Sequence, residues 1–284
     1  IPLIIYGKEV KTGEQGQCVM PHDHQHILGN FHMAGENEVS EAIESSMLAW
    51  NTWSKTSLKE RTKIFRKAAE LLQGPWRDTI NAATMLNQSK NAFQAEIDAA
   101  CELIDFFNFN CQYAEDIHNN QPLISPEGVK NSLEYRPLEG FVFAITPFNF
   151  TSIAGNLPCA PALMGNVAIW KPASSAVLPC YYLMEMLKEA GLPDGVINFL
   201  PGSGSKVGDP VLTNPNLSGV HFTGSTQTFQ HIWKTIGKNI DRYKTYPRIV
   251  GETGGKDFCL AHESVNIDEL ATAMIRGAFE FQGQ

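Results

Sequence analysis

The stretch Phe141-Val-Phe-Ala-Ile-Thr-Pro-Phe-Asn-Phe150 joins a short apolar run to a turn that contains proline and asparagine. The apolar run predicts a buried strand, and similar runs recur downstream with segments of helical periodicity between them. Strands are predicted at residues 141–145, 167–170, 196–200, 219–222 and 248–250. Helices are predicted between them at residues 154–163, 179–190, 205–212 and 226–236. This alternation indicates βαβ units and an α/β fold with a Rossmann-type parallel sheet.

The segments on either side of this region also carry clear patterns. The first 35 residues predict short strands joined at glycine turns. Helices are predicted at residues 39–53, 58–72 and 92–117, with a further short helix after Gly74-Pro75. Beyond them, strands are predicted near residues 132–135 and 258–260, and a last helix near residues 268–281.

The composition narrows the class of protein. The chain has 284 residues and a formal net charge of −8, which argues against a nucleic-acid surface because such a surface needs a basic stripe. No apolar run approaches the ~18 residues needed to cross a bilayer. The six cysteines are scattered without a C-x-x-C pair, so a reducing compartment is expected. The start has neither an initiator methionine nor a basic region, and we expect an incomplete or processed N-terminus.

Two motifs at strand ends suggest nucleotide binding. Phe222-Thr-Gly-Ser225 marks a strand-to-helix turn, where a glycine lets a phosphate approach and a hydroxyl and free helix N–H groups can hold it. Trp170-Lys-Pro172 lies one βαβ unit earlier, and its lysine can reach a ribose or a phosphate with Ser174 beside it. Each motif has a structural alternative, namely a serine N-cap and a solvated lysine before a turn.

Three further motifs follow predicted strands. In Pro147-Phe-Asn-Phe150, the asparagine amide is a candidate oxyanion donor, or alternatively a helix N-cap. In Gly251-Glu-Thr-Gly-Gly-Lys256, the glutamate beside paired glycines is a candidate general base, or alternatively an exposed turn residue. Pro201-Gly-Ser-Gly204 allows close approach of a nucleotide with Gly208 beside its adenine, or alternatively forms a flexible loop.

The order and spacing of these motifs resemble the aldehyde dehydrogenase superfamily over essentially the whole chain. Phe148 stands where most relatives have tryptophan, and this form is similar to the pyrroline-carboxylate group. Further stretches that look like that group are Glu96-Ile-Asp-Ala-Ala100, Glu102-Leu-Ile-Asp-Phe-Phe107, Gly155-Asn-Leu-Pro158 and Ala160-Pro-Ala-Leu-Met-Gly-Asn166. The resemblance implies an aldehyde dehydrogenase-like α/β fold and NAD-dependent oxidation of L-glutamate γ-semialdehyde to L-glutamate in proline catabolism.

The resemblance also implies a mechanism with named residues. A cysteine thiolate attacks the aldehyde, Asn149 steadies the oxyanion, hydride passes to NAD⁺, and Glu252 activates the water that hydrolyses the thioester. Cofactor contacts are expected at Lys171, Ser174, Gly208, Phe222, Gly224, Ser225 and Phe150. The partners expected are a small-molecule aldehyde and, for the full-length enzyme, a second copy in a homodimer, with no nucleic acid and no membrane.

The end of the chain departs from the family pattern. In relatives the nucleophilic cysteine follows a Gly-Gln dipeptide, which here is Gly283-Gln284 at the last position. We therefore expect residues 1–250 to form the cofactor domain, with a bridging strand near 132–136, and residues 251–284 to begin an incomplete catalytic domain. On this expectation the chain as it stands is inactive.

Two other functions stay open from the sequence. One is an inactive, nucleotide-binding form that acts as a structural or regulatory partner, and the other is a dehydrogenase for a different aldehyde. The family works in the mitochondrial matrix of eukaryotes, so that location is expected for a eukaryotic source and the cytoplasm otherwise.

Cysteine and histidine side chains offer alternative chemistry. Cys159 and Cys259 are both expected to be packed core residues rather than substitute nucleophiles. His22, His24 and His26 alternate along a predicted strand and could share one face, as zinc ligands do. No second ligand cluster accompanies them, and no metal site is assigned.

Overall fold

The computed structural model describes residues 1–283, with the side chains of residues 282 and 283 and the whole of Gln284 outside the description. The family dipeptide at the end of the chain therefore lies largely outside the described residues. The strands are β1 (Leu3–Ile5), β2 (Lys8–Val10), β3 (Gln15–Met20), β4 (Asp23–His32), β5 (Phe141–Ile145), β6 (Val167–Lys171), β7 (Ile197–Phe199), β8 (Leu217–Thr223) and β9 (Arg248–Glu252).

Helices occupy most of the remaining chain. They are α1 (Glu36–Trp53), α2 (Leu58–Gln73), α3 (Arg77–Gln88), α4 (Ala92–Ala95), α5 (Glu102–Asn119), α6 (Thr151–Leu163), α7 (Val177–Glu189), α8 (Gly204–Leu212), α9 (Thr226–Lys238) and α10 (Ile267–Phe279). A π-helical segment, Glu96–Cys101, joins α4 to α5, and a 3₁₀ turn, Glu280–Gly283, follows α10.

A seven-stranded sheet with the order β2-β1-β7-β6-β5-β8-β9 forms the centre of the molecule. Strands β5 to β9 pair in parallel, whereas β1 pairs antiparallel with β2 and β7. Because right-handed crossovers change sides when the strand order reverses, α6 and α7 cover one face and α8 and α9 the other. Helix α1 packs beside α8 on the second face. The predicted α/β fold with a parallel sheet is confirmed.

The strand order reverses at β5, whose neighbours are β6 and β8. Ile145, the last residue of β5, is level with Lys171 of β6 and with Phe222 of β8. Phe222 is in turn level with Gly251 of β9, and β8 and β9 each continue by one residue, so the four strands end within one residue of a common row. The predicted motifs follow these ends, and the topology therefore gathers them at one edge of the sheet, where open α/β sheets bind ligands.

Two predictions about secondary structure and one about packing are wrong. Residues 132–136 form no bridging strand, because Leu133 hydrogen bonds to the side chain of Gln121 instead of to a neighbouring strand. Residues 258–260 form no strand either, and Phe258 and Leu260 are exposed. Cys259 between them is exposed rather than packed, because the core on which that prediction depended is absent at this segment.

Asn198 in β7 connects the sheet to α1 and to the turn that follows β1. Its Oδ1 accepts hydrogen bonds from the main-chain N–H of Tyr6 (2.8 Å) and the hydroxyl of Ser45 (3.2 Å). Its Nδ2 donates to Ser46 Oγ (2.8 Å) and to the carbonyl oxygen of Ala42 (3.2 Å). The side chain is fully buried, so removing it would leave each partner without a hydrogen bond and without water to replace it.

We expect Asn198→Ala to lower the free energy of unfolding by about 2–3 kcal/mol, because it leaves buried donors and acceptors unpaired. Urea unfolding followed by circular dichroism measures the change. The matched control is Asn51→Ala, which removes an exposed asparagine from α1 and should change the free energy by less than about 0.5 kcal/mol. Equal midpoints for the two variants would contradict the role given to Asn198.

Candidate functional site

A cavity of about 560 Å³ lies where the loops after β5, β8 and β9 meet. Asn149 and Phe150 come from the first loop, Gly224 and Ser225 from the second, and Glu252 from the end of β9. The structure therefore brings together both predicted catalytic residues and three of the predicted cofactor contacts.

Asn149 lies before α6 but does not cap it. The N-cap residue is Phe150, and its side chain makes no capping hydrogen bond. Among the described side chains, those of residues 1–281, the Asn149 side chain has no hydrogen-bond partner, whereas its main-chain oxygen accepts a hydrogen bond from Lys90 Nζ. The amide is thus available to a molecule in the cavity, and the N-cap alternative is not what the structure shows.

Glu252 ends β9 beside the turn after β8. The main-chain N–H of Gly224 donates to the carbonyl oxygen of Glu252 (3.1 Å), and the Thr223 hydroxyl donates to its carboxylate (3.5 Å). The carboxylate is exposed and also lines an adjoining cavity of about 400 Å³ that contains Glu102 and His221. An exposed carboxylate can reach water, which a general base that activates water requires.

A second cavity of about 520 Å³ lies between α8, α9 and the end of β6. Apolar side chains such as Phe143, Leu212 and Ile232 line it together with Lys171 and Gly208. Lys171 is almost fully buried, and burial lowers the pKa of its amine to about 8. Within the described residues, its Nζ donates only to the carbonyl oxygen of Pro172 (3.3 Å). Lys171 is therefore a buried amine with unused donors at the wall of an apolar cavity.

The other predicted cofactor residues have identifiable structural roles. Ser225 is the N-cap of α9, because its hydroxyl accepts from the Thr228 N–H (3.2 Å), so the serine-cap alternative is confirmed. Ser174 is exposed and donates to the carbonyl oxygen of Gly202 (3.4 Å), outside the residues that line the second cavity. Phe222 is buried and stacks on Phe229 with 5.8 Å between ring centroids.

Three polar residues at the site carry no signal that sequence patterns could supply. Glu102 begins α5 and accepts a hydrogen bond from the Ser152 hydroxyl of α6. His221 contacts the carbonyl oxygen of Leu157 through Nδ1 (3.0 Å), and burial lowers its pKa. Lys90 follows α3 and reaches the Asn149 main chain. Glu102 entered the sequence prediction only as part of a family resemblance, and His221 only as part of the strand predicted at residues 219–222. Lys90 did not enter it.

The alternative nucleophiles and metal ligands are not at this site. Cys159 is buried in α6, as expected, and burial raises the pKa of its thiol. None of the described residues that line the cavity of Asn149 and Glu252 is a cysteine. His22 pairs with the Ser89 hydroxyl (2.8 Å), and residues 1–283 hold no group of three metal-ligating side chains. In the same range, no helix has the length and apolar character to cross a bilayer.

The aldehyde dehydrogenase family model matches residues 9–284. The chain is 48% identical, over its whole length, to the probable delta-1-pyrroline-5-carboxylate dehydrogenase of Schizosaccharomyces pombe, and covers 52% of that protein. It is 46% identical to the human mitochondrial delta-1-pyrroline-5-carboxylate dehydrogenase and covers 50% of it. The chain therefore spans about half the length of the curated relatives it matches.

Solved structures agree with the sequence matches. The chain superposes along its whole length on the NAD-bound delta-pyrroline-5-carboxylate dehydrogenase of Mycobacterium tuberculosis, with a TM-score of 0.96, 54% identity and 53% of that chain covered. The Thermus 1-pyrroline-5-carboxylate dehydrogenase with bound NAD gives a TM-score of 0.93 at 31% identity, with 55% of that chain covered.

Lys171→Met should stabilise the protein at pH 7 by about 1–3 kcal/mol, because it removes a buried charged amine that has few partners to offset its loss of hydration. The pKa falls from 10.5 to about 8 on folding, so the unfolded chain binds more protons between these values. The loss of stability caused by the buried charge is complete below about pH 8 and disappears as the pH rises toward 10.5. The stability gained by Lys171→Met should therefore decrease over the same pH range.

Urea midpoints at pH 7.0 and pH 10 measure this effect. The control is Lys63→Met on the exposed face of α2, which should leave the midpoint nearly unchanged at both values. A Lys171→Met variant that is destabilised at pH 7 would show that the amine has protein partners strong enough to offset its burial.

Proposed function

The chain belongs to the aldehyde dehydrogenase family, and we propose that the protein containing it oxidises L-glutamate γ-semialdehyde to L-glutamate with NAD⁺. The single observation that carries this proposal is the convergence of Asn149, Gly224 and Glu252 on one cavity at the point where the strand order reverses. The choice of aldehyde rests on the names of relatives that match the whole chain at 46–48% identity.

The residues at the sheet edge fit a dinucleotide. The second cavity has apolar walls that suit a flat base, and Lys171 offers donors for ribose hydroxyls. The first turn of α9 lies between the two cavities, since Thr228 lines one and Ser225 the other. Its N–H groups and the helix dipole favour a negatively charged group there. NAD⁺, when bound, would accept the hydride from the substrate.

The chain's own residues then have separate tasks. Asn149 donates a hydrogen bond to the oxygen of the aldehyde as negative charge develops on it. Glu252 takes a proton from the water that releases the acid product. Lys171 and Gly208 hold the adenosine end of the cofactor, while Phe150, Gly224 and Ser225 shape its path toward the aldehyde together with Phe222, which lines the adjoining cavity. Ser174 is proposed to reach the ribose from the rim.

The organisation of the whole protein is part of the same proposal. Residues 1–250 would form the cofactor domain, and residues 251–284 would belong to the catalytic domain. A homodimer is proposed for the full-length enzyme. A eukaryotic source would place it in the mitochondrial matrix, because the Dictyostelium discoideum and human relatives are named mitochondrial.

The proposal is tested by adding NAD⁺ and L-glutamate γ-semialdehyde to the complete protein that contains this chain and recording NADH formation at 340 nm. Acetaldehyde and succinate semialdehyde serve as competing substrates. We expect the highest kcat/KM for glutamate semialdehyde. Equal or greater values for another aldehyde would identify a different substrate, and NAD⁺ binding without turnover would identify a nucleotide-binding protein.

Asn149→Ala should lower kcat about 10²–10³-fold while the dissociation constant for NAD⁺ stays unchanged, because only the developing oxyanion loses a donor. Stopped-flow fluorescence and calorimetry measure the two quantities. Asn131→Ala in an exposed loop is the control and should leave both unaltered. A comparable loss of cofactor affinity in Asn149→Ala would refute the role given to this amide.

Glu252→Gln should lower turnover strongly without loss of folding, because an amide cannot accept the proton from water. The matched control, Glu134→Gln, changes an exposed carboxylate that does not line the cavity of Glu252. Steady-state rates and circular dichroism spectra of the two variants give the comparison. Wild-type turnover in Glu252→Gln would exclude this carboxylate as the base.

A further inference from the structure

Lys90 and Asp98 form an ion pair that is withdrawn from solvent. Their side chains are 0% and 1% exposed, respectively. Among the described residues, neither carboxylate oxygen of Asp98 has a hydrogen-bond partner, so the Lys90 amine beside Oδ2 is what balances its charge. A buried pair of this kind loses the hydration of two charges, and apolar residues of similar size often stabilise a fold equally well. Stability alone is therefore a weak reason for the pair.

The backbone around both residues departs from regular helix. Lys90 follows Ser89, which adopts a left-handed conformation (φ 55°) at the end of α3. Asp98 lies in the π-helical segment Glu96–Cys101, which interrupts the path from α4 to α5. A left-handed conformation at a residue other than glycine is energetically unfavourable, and so is a π-helical turn. Both occur often at functional sites. Two such departures bring these side chains together.

The lysine amine contacts the proposed oxyanion segment directly. Lys90 Nζ donates to the main-chain oxygen of Asn149 and lies 4.1 Å from the centroid of the Phe150 ring. It is also 4.8 Å from the centroid of the Phe281 ring, which packs against Phe150 with 5.2 Å between centroids. One ammonium group thus joins the loop after β5 to the turn after α10.

The side chain of Asn149 has no hydrogen bond to any side chain or main-chain group that the structure describes, whereas its main-chain oxygen has one. Its direction is consequently set by its main chain, and that main chain is held by Lys90. We propose that Lys90, fixed by Asp98, is the positioning residue that aims the Asn149 amide at the aldehyde oxygen. The inference rests on the proposed function, because it assigns a task to the supports of the same site.

The experiment compares Lys90→Met, Asp98→Asn and the double variant Lys90→Met/Asp98→Asn in the complete protein. Either single change leaves an uncompensated polar group in the interior and should lower the urea midpoint. The double variant removes both charges, so its midpoint should recover toward the wild-type value. Its kcat should stay about tenfold to 100-fold below wild type, because the amide is no longer held in place.

A cycle with Asn149→Ala separates positioning from general damage. If Lys90 acts through the amide, adding Lys90→Met/Asp98→Asn to Asn149→Ala should cause no further loss of kcat. The dissociation constant for NAD⁺ should stay constant throughout. The control is Arg66→Met/Glu115→Gln, which removes an exposed ion pair of 2.8 Å and should change neither kcat nor the cycle.

Two results would overturn the inference. One is recovery of kcat together with the urea midpoint in the double variant, and the other is a multiplicative loss in the cycle. If the wild-type protein shows no turnover, the proposed function fails separately. Crystal structures of the wild type and the double variant then decide the positioning role, because an unmoved segment 147–150 contradicts it and a displaced one supports it.

Discussion

The hydrogen-bond register of the parallel strands is the constraint on which the rest of the molecule depends. Ile145 and Lys171 end β5 and β6 level with Phe222, one residue before the end of β8, and the turns that follow can meet only while this register is kept. A shift of one residue in β6 would move Lys171 to the other face of the sheet, since side chains alternate along a strand. The candidate site is thus a consequence of pairing inside the core, although Asn149, Gly224 and Ser225 lie in turns.

The buried polar groups of this core differ in how well their partners offset the loss of hydration. Asn198 has a partner for each of its polar atoms, and these bonds hold α1 and the turn after β1 against β7. Lys171 has few partners, and the lowering of its pKa by burial shows that the folded protein holds the charged amine at a cost in stability. Lys90 and Asp98 are intermediate, because each buried charge has the other as a partner but the Asp98 carboxylate has no further hydrogen bond among the described residues. A polar group that is costly within the protein is a reason to look for a ligand or a positioned neighbour.

The parallel sheet and its helices could be predicted from the sequence because apolar runs of strand length alternate with helical periodicity. Residues 132–135 and 258–260 carry similar runs, but a strand also needs a neighbour with free main-chain groups, which periodicity does not reveal. The motif residues were predicted to meet, and Asn149, Gly224 and Glu252 do. Lys90 was missed because lysine normally marks the surface, and the π-helical turn that pairs it with Asp98 has no sequence signature.

The glycines of the site illustrate how packing and ligand binding impose the same residue. A Cβ atom on Gly251 would lie 2.2 Å from the ring of Phe229, and one on Gly224 would lie 2.8 Å from the ring of Phe222. These rings stack on each other beneath the first turn of α9, and Phe229 meets Trp233 edge to face. Both positions would therefore require glycine even without a phosphate. The same packing holds the first turn of α9 at the strand ends, where Ser225 lines one cavity and Thr228 the other. An anion that enters beside this helix N-terminus would meet a geometry that the packing already provides.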